Sequence, residues 1–246
     1  MTDQEANFPD DDTLDIQTWP VIELIGRAVA LATVARRGML EVDEERDPFD
    51  LETDRFDLAT WTRTELQNWI TDDELRILNT PVNDLDEDDL GTCDNALVSA
   101  TAVAWALRAV TAERLPLPEN PEIDEQTLKW APQPWEKVRS VQSRARLRSD
   151  EELATERERW ELWYWRAADA VDDADALREV VDETRETGLI PIVDNDFADD
   201  AGTPYAALSA EEQDDIAWLA ELRLRALNWV CGFGESWESA PLYLDD

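Results

Sequence analysis

DNALVSATAVAWALRAVTAE, from Asp94 to Glu113, places alanine, valine, leucine and Trp105 on nearly every side of a helical projection. A helix that is apolar all round is buried among its neighbours. The segment therefore predicts a central helix with other helices packed about it. Working outward, Thr62 with Glu65, Thr71 with Glu74, Ser149 with Glu152 and Ser209 with Glu212 have the spacing of capping boxes. Apolar residues follow each pair at helical period. Helices are expected near 20–37, 62–70, 72–79, 94–113, 150–171, 173–187 and 210–231. Gly188 and Gly232 fall just past the ends of two of them, where a C-terminal cap belongs. Pro48, Pro81, Pro116, Pro118, Pro121, Pro132 and Pro134 punctuate the connections. Leu189–Val193 could form one short strand, and nothing else alternates as a sheet does. The expected fold is all-α: one mainly helical domain over 19–246, about seven helices around the central one, preceded by an acidic arm over 1–18.

Charge is the second strong signal. The chain has 59 acidic and 22 basic residues, no histidine and a net charge of −37. Only Lys129 and Lys137 are lysines; the other cations are arginines. At about 1 M salt the Debye length is roughly 3 Å, so such a charge no longer repels itself apart. In dilute buffer it strains the compact state. Disorder needs low hydrophobicity, whereas 43% of these residues are hydrophobic and twelve are tryptophan. The composition fits a folded protein of a salt-rich cytoplasm. No stretch approaches the roughly 20 apolar residues needed to cross a bilayer, and Met1–Asp15 lacks the basic and apolar regions of a signal peptide. Cys93 and Cys231 are too few for a disulfide framework and read as buried thiols. A surface this negative also disfavours nucleic acid as a partner.

Several chemistries are excluded by residue type. Without histidine there is no Ser-His-Asp triad and no histidine-ligated zinc. Gly232-Phe233-Gly234 follows a helix instead of opening one, so it is no phosphate loop. Asp84, Asp86 and Asp88 imitate the start of a calcium loop, but Asp89 stands at the glycine position and Asn95 at the twelfth. No catalytic residue, metal site or cofactor is called for.

Charges on the wrong face of a helix are more informative. Projected at roughly 100° per residue, residues 210–231 give an apolar stripe of Ile216, Leu219, Ala220, Leu227, Val230 and Cys231. Arg223 falls in the middle of it. Residues 150–171 bury Leu153, Trp160, Trp163, Tyr164, Ala167 and Val171, with Glu156 among them and Glu152 at the edge. An unpaired internal charge costs several kcal/mol, so Glu156, with Glu152 beside it, is expected to meet Arg223 across the two helices. The pair reads either as a structural ion pair or as a pocket for an anionic or amide-bearing ligand.

Between Glu136 and Asp150 lie Lys137, Arg139, Arg144, Arg146 and Arg148 with no acid among them. This island either docks on the protein's own acidic surface or serves as a recognition strip, for which the planar guanidinium fork is suited. Trp165 projects away from the apolar face of its helix, so it meets another helix or marks a contact surface.

The chain resembles the family known as domain of unknown function 4272, from about residue 20 onward. The resemblance rests on Leu147-Arg148-Ser149, then Glu152, Glu156 and Glu158, then Trp165, Asp169 and Ala170. It rests also on Arg223, Ala226-Leu227-Asn228-Trp229 and Trp237-Glu238, with weaker echoes at Arg27 and Leu31, Trp105-Ala106-Leu107 and Leu115-Pro116. Family members commonly carry histidine where this chain has Tyr164 and Leu224. The resemblance implies a soluble helical protein, here of halophilic archaeal type, and supports Glu156 and Arg223 as a family feature. It brings no activity with it.

These readings lead to a cytoplasmic, non-enzymatic interaction or regulatory protein. Its contact regions are Arg139, Arg144, Arg146 and Arg148 and the Trp165 surface, and its partner is another protein. The alternative is a small-ligand binder or enzyme using the carboxylates and arginine around Glu156 and Arg223.

Overall fold

The computed structural model describes residues 15–168 and 174–244. Most of the acidic arm expected over 1–18, and Asp169, Ala170 and Val171 of the fifth expected helix, lie outside the described residues. The fold is mainly α-helical, with eight α-helices among the described residues: α1 Val21–Val42, α2 Pro48–Glu65, α3 Asp72–Asn79, α4 Glu87–Ala106, α5 Pro121–Trp130, α6 Asp150–Ala168, α7 Ala174–Thr187 and α8 Ala210–Val230. One small hairpin pairs β1 Ile192–Val193 with β2 Asp196–Phe197, Ile192 opposite Phe197 and Val193 opposite Asp196. Among the described residues no helix is long and apolar enough to cross a membrane.

The segment that decides the fold is central, as its composition requires. α4 packs between α1 and α8, and α8 in turn carries α6. Ala100, Ala102, Val103, Ala104 and Ala106 of α4 are fully buried, and so are Leu24, Ile25, Ala28, Val29 and Ala30 of α1. α4 nevertheless begins earlier and stops sooner than expected. Asp86, the middle of the false calcium loop, is its N-cap and accepts from the Asp89 N–H at 2.9 Å. At the other end Arg108 turns left-handed at φ 52°. The chain at 146–148 then takes up the last carbonyls: Arg146 N–H reaches Leu107 O and Arg148 N–H reaches Ala106 O, both at 2.9 Å. Val110 is buried but no longer helical.

Three of the four capping boxes form, at Thr71–Glu74, Ser149–Glu152 and Ser209–Glu212. The fourth does not. Thr62 is buried inside α2, which starts fifteen residues upstream of the expected 62, at the N-cap Asp47 followed by Pro48. α5 starts the same way, at Asn120 followed by Pro121. Proline is tolerated at the first helical position because the N–H it lacks has no intrahelical partner there. Pro48 and Pro121, read as punctuation, are helix starts.

Two glycines fix close approaches. A Cβ on Gly26 would lie 2.1 Å from the Trp69 ring, so α1 receives that indole only because position 26 is bare. Gly232 ends α8 at φ 90°, with Gln17 O where a Cβ would be. Gln17 N–H closes this contact on Cys231 O at 3.0 Å. The described part of the expected arm thus runs against the end of α8.

Candidate functional site

Glu156 and Arg223 are both buried, at 2% and 1% exposure, as their positions on apolar faces require. They do not form the expected ion pair. Glu156 Oε1 instead accepts from Arg159 Nη1 at 2.9 Å, from Trp160 Nε1 at 2.8 Å and from the Leu115 N–H at 3.0 Å. Arg223 Nη1 donates to Pro116 O at 2.6 Å, and its guanidinium lies 4.5 Å from the Trp160 ring centroid. Arg159 Nη2 reaches Leu115 O at 3.0 Å. The α6 and α8 charges therefore grip one loop, Leu115–Pro116, from two helices. The physical reason is reach: Arg159, three residues from Glu156, folds back along its own helix, and loop carbonyls satisfy the arginine on α8.

Burial lowers the Arg223 pKa to about 10, with Glu119, Asp124 and Glu156 opposing the shift and Arg159 adding to it. Glu119 and Asp124 supply two of the opposing charges without forming an ion pair with Arg223. Burial raises the pKa of both carboxyls. The interaction between them raises Glu119 further and lowers Asp124. Asp124 also accepts from Thr101 Oγ1 at 2.7 Å.

Glu152 stays outside this node. It completes the capping box with Ser149 and pairs with Arg108 and with Arg148, at 3.1 Å for the latter. The Ser149 backbone N–H and hydroxyl, then Arg108 and Arg148, hold its pKa down to about 2 against partial burial. Glu152 and Glu156 line a cavity of about 340 Å³ with Trp105, Arg114 and Arg148.

The basic island divides. Arg148 is buried, donating to Trp105 O at 2.9 Å and Ala112 O at 2.8 Å while its guanidinium lies 4.1 Å from the Trp105 ring centroid. It serves as an internal strut, so the expectation of a contact residue there is corrected. Lys137 pairs with Glu65. Arg139, Arg144 and Arg146 are exposed, and among the described residues none makes an ion pair. Trp135, at φ 74°, stands 59% exposed at the head of the same loop. Trp165 meets the hairpin, not a helix: its ring lies 6.5 Å from Phe197. Arg166 fixes that hairpin through two bonds to Asp196, at 2.8 and 2.9 Å.

Sequence reasoning missed Arg159, Arg157, Glu119 and Asp124. Arg159 carried a readable signal, its three-residue spacing from Glu156. Arg157, which bonds Asn228 at 2.6 Å, carried one too: four residues after Leu153 and three before Trp160, it borders the apolar face projected for 150–171. Both cysteines are free and buried, which pushes the thiol pKa up to about 11 at Cys93 and about 12 at Cys231. Comparison with protein-family models, curated proteins and solved structures gives no match to this chain.

Proposed function

We propose that this chain is a non-enzymatic interaction or regulatory protein of a salt-rich cytoplasm, and that the loop from Trp135 to Arg146 is its contact surface for an acidic protein segment. One observation carries the reading: Arg139, Arg144 and Arg146 stand exposed and, among the described residues, without a carboxylate partner in a chain of net charge −37. Elsewhere in the molecule arginines are mostly matched, as in Arg27–Glu74, Arg76–Asp89 and Arg166–Asp196. Three guanidiniums without an ion pair among the described residues, on a loop headed by an exposed tryptophan, combine the residue types that carry binding energy at protein interfaces. In molar salt long-range attraction is screened, so bidentate guanidinium bonds and the Trp135 ring do the recognising. The Glu156–Arg223 region favours architecture over chemistry, since three donors already converge on one Glu156 oxygen.

Membership of the domain of unknown function 4272 family and a halophilic archaeal origin belong to the same proposal. They are supported by the residue pattern and the acidic composition. The alternative, a ligand site around Glu156 and Arg223, is favoured only at its Glu156 end, where Glu152 and Glu156 line a cavity that Arg223 does not reach.

The test is a photo-cross-linking residue at Ser140, with Glu179 on α7 as control, in native extract kept in molar KCl. An acidic polypeptide captured at 140 but not at 179, and lost in the R139E/R144E/R146E variant, is the expected result. The same capture at both positions, or capture indifferent to the arginines, overturns the reading. Captured nucleic acid would replace the protein partner.

A further inference from the structure

Four tryptophans far apart in sequence converge near the start of α1 and the end of α8. Trp19 precedes α1, Trp69 follows α2, Trp229 lies in the last turn of α8 and Trp237 comes seven residues after that helix ends. Together they line a cavity of about 210 Å³. Trp229 organises the group: it stacks on Trp19 with centroids 6.0 Å apart and meets Trp237 edge-on at 5.3 Å. Trp69 is seated against bare Gly26 and donates its Nε1–H to Glu23 at 2.7 Å. The buried Nε1–H groups of Trp19 and Trp229 find no acceptor among the described residues. Buried indoles usually find one, so hydrogen bonding of their own does not explain where these two rings sit.

The charges around the cavity are lopsided. Among the described residues Arg27 is the one cation lining it, and Glu74 neutralises it through two hydrogen bonds. Its guanidinium lies 4.5 Å from the Trp237 ring centroid, so the cluster already holds one cation against an indole. Glu23 and Glu238 also line the cavity, and neither makes an ion pair among the described residues. What remains for a guest is aromatic wall and net negative charge.

The geometry points to a binding site for a quaternary or fully methylated ammonium group. Such a cation has no N–H to satisfy, so it needs no directed acceptor. Indole faces attract it through their quadrupole. A neutral apolar guest would gain nothing from Glu23 and Glu238. Drug-sized pockets run about 300–1,000 Å³, and the cavity here is smaller, suited to a compact head group with a short tail. The inference stands apart from the arginine loop and is independent of the reading given to it.

Calorimetric titration of the full chain in molar KCl with choline, and with its uncharged carbon isostere 3,3-dimethylbutan-1-ol, tests the site. Choline is expected to saturate one site per chain and the isostere to bind at least about tenfold more weakly. Trp237→Leu, with helicity checked by circular dichroism, is expected to weaken choline about tenfold. If that variant does not fold, the rim double variant E23Q/E238Q is expected to weaken choline several-fold while leaving the isostere unchanged. Absence of saturable choline binding, equal binding of the isostere, or binding indifferent to these substitutions overturns the assignment.

Discussion

Trp160 stands between Glu156 and Arg223: its indole N–H donates to the carboxylate at 2.8 Å, and the guanidinium lies 4.5 Å from its ring centroid. The two charges expected to meet across α6 and α8 are thus separated by an aromatic ring, each with a nearer partner. Arg159 holds Glu156 at 2.9 Å, both side chains almost fully buried.

Removing one member of a buried pair strands the other. Glu156→Gln leaves Arg159 without its carboxylate and is expected to cost about 3 kcal/mol, as is Arg159→Met. The double variant E156Q/R159M should cost at least about 1 kcal/mol less than the sum. Coupling between Glu156→Gln and Arg223→Met should be clearly smaller, because those groups share Trp160 and not a bond. Chemical denaturation in molar KCl measures both cycles, and a larger Glu156–Arg223 coupling would restore the direct pair.

Acid and base pull on different carboxyls. The Glu152 pKa is depressed from 4.5 to about 2 in the folded state. Its contribution is present above the unfolded value and is lost as pH falls from about 4.5 towards about 2. Glu119 and Asp124 have raised values, so their contribution is full below the unfolded values of 4.5 and 3.8 and is lost as pH rises through the folded ones. Glu152→Gln should therefore destabilise at pH 7. Glu119→Gln, which keeps a donor towards Asp124, should stabilise at pH 7 and lose that advantage on acidification. Thermal melts of both variants at pH 7 and at mildly acidic pH decide it; a Glu119→Gln melt below wild type at pH 7 would contradict the upward shift of Glu119.

Salt should govern folding itself. Lowering KCl from about 1 M to about 0.1 M lengthens the Debye length from roughly 3 to roughly 10 Å and exposes each carboxylate to its neighbours. With a net charge of −37, helicity followed by circular dichroism should fall cooperatively along that series. Unchanged helicity at 0.1 M would remove the halophilic reading.

The fold was legible where burial and capping agree. The apolar run 94–113 announced the central helix, and Thr71, Ser149 and Ser209 marked three helix starts. Pro48 and Pro121 were misread because proline both breaks helices and begins them, and the Asp47 and Asn120 caps before them were overlooked. At the site, the wrong-face charges correctly identified Glu156 and Arg223 as buried. They could not identify the partner of Arg223, because the group that satisfies it is the Pro116 carbonyl, and a carbonyl leaves no mark in the sequence. The basic island was read whole, yet Arg148 departs from it through contacts with Trp105 and Ala112 that only tertiary packing creates.

The grip on Leu115 and Pro116 reverses the ordinary relation between helices and the connections that join them. Loops are where chains usually accept inserted residues. At 115–116 a carboxylate and two guanidiniums from α6 and α8 take the loop's backbone groups at fixed spacing. A single residue added there would move all three out of register at once. The segment without regular structure is the latch, and α6 and α8 are what it keeps closed.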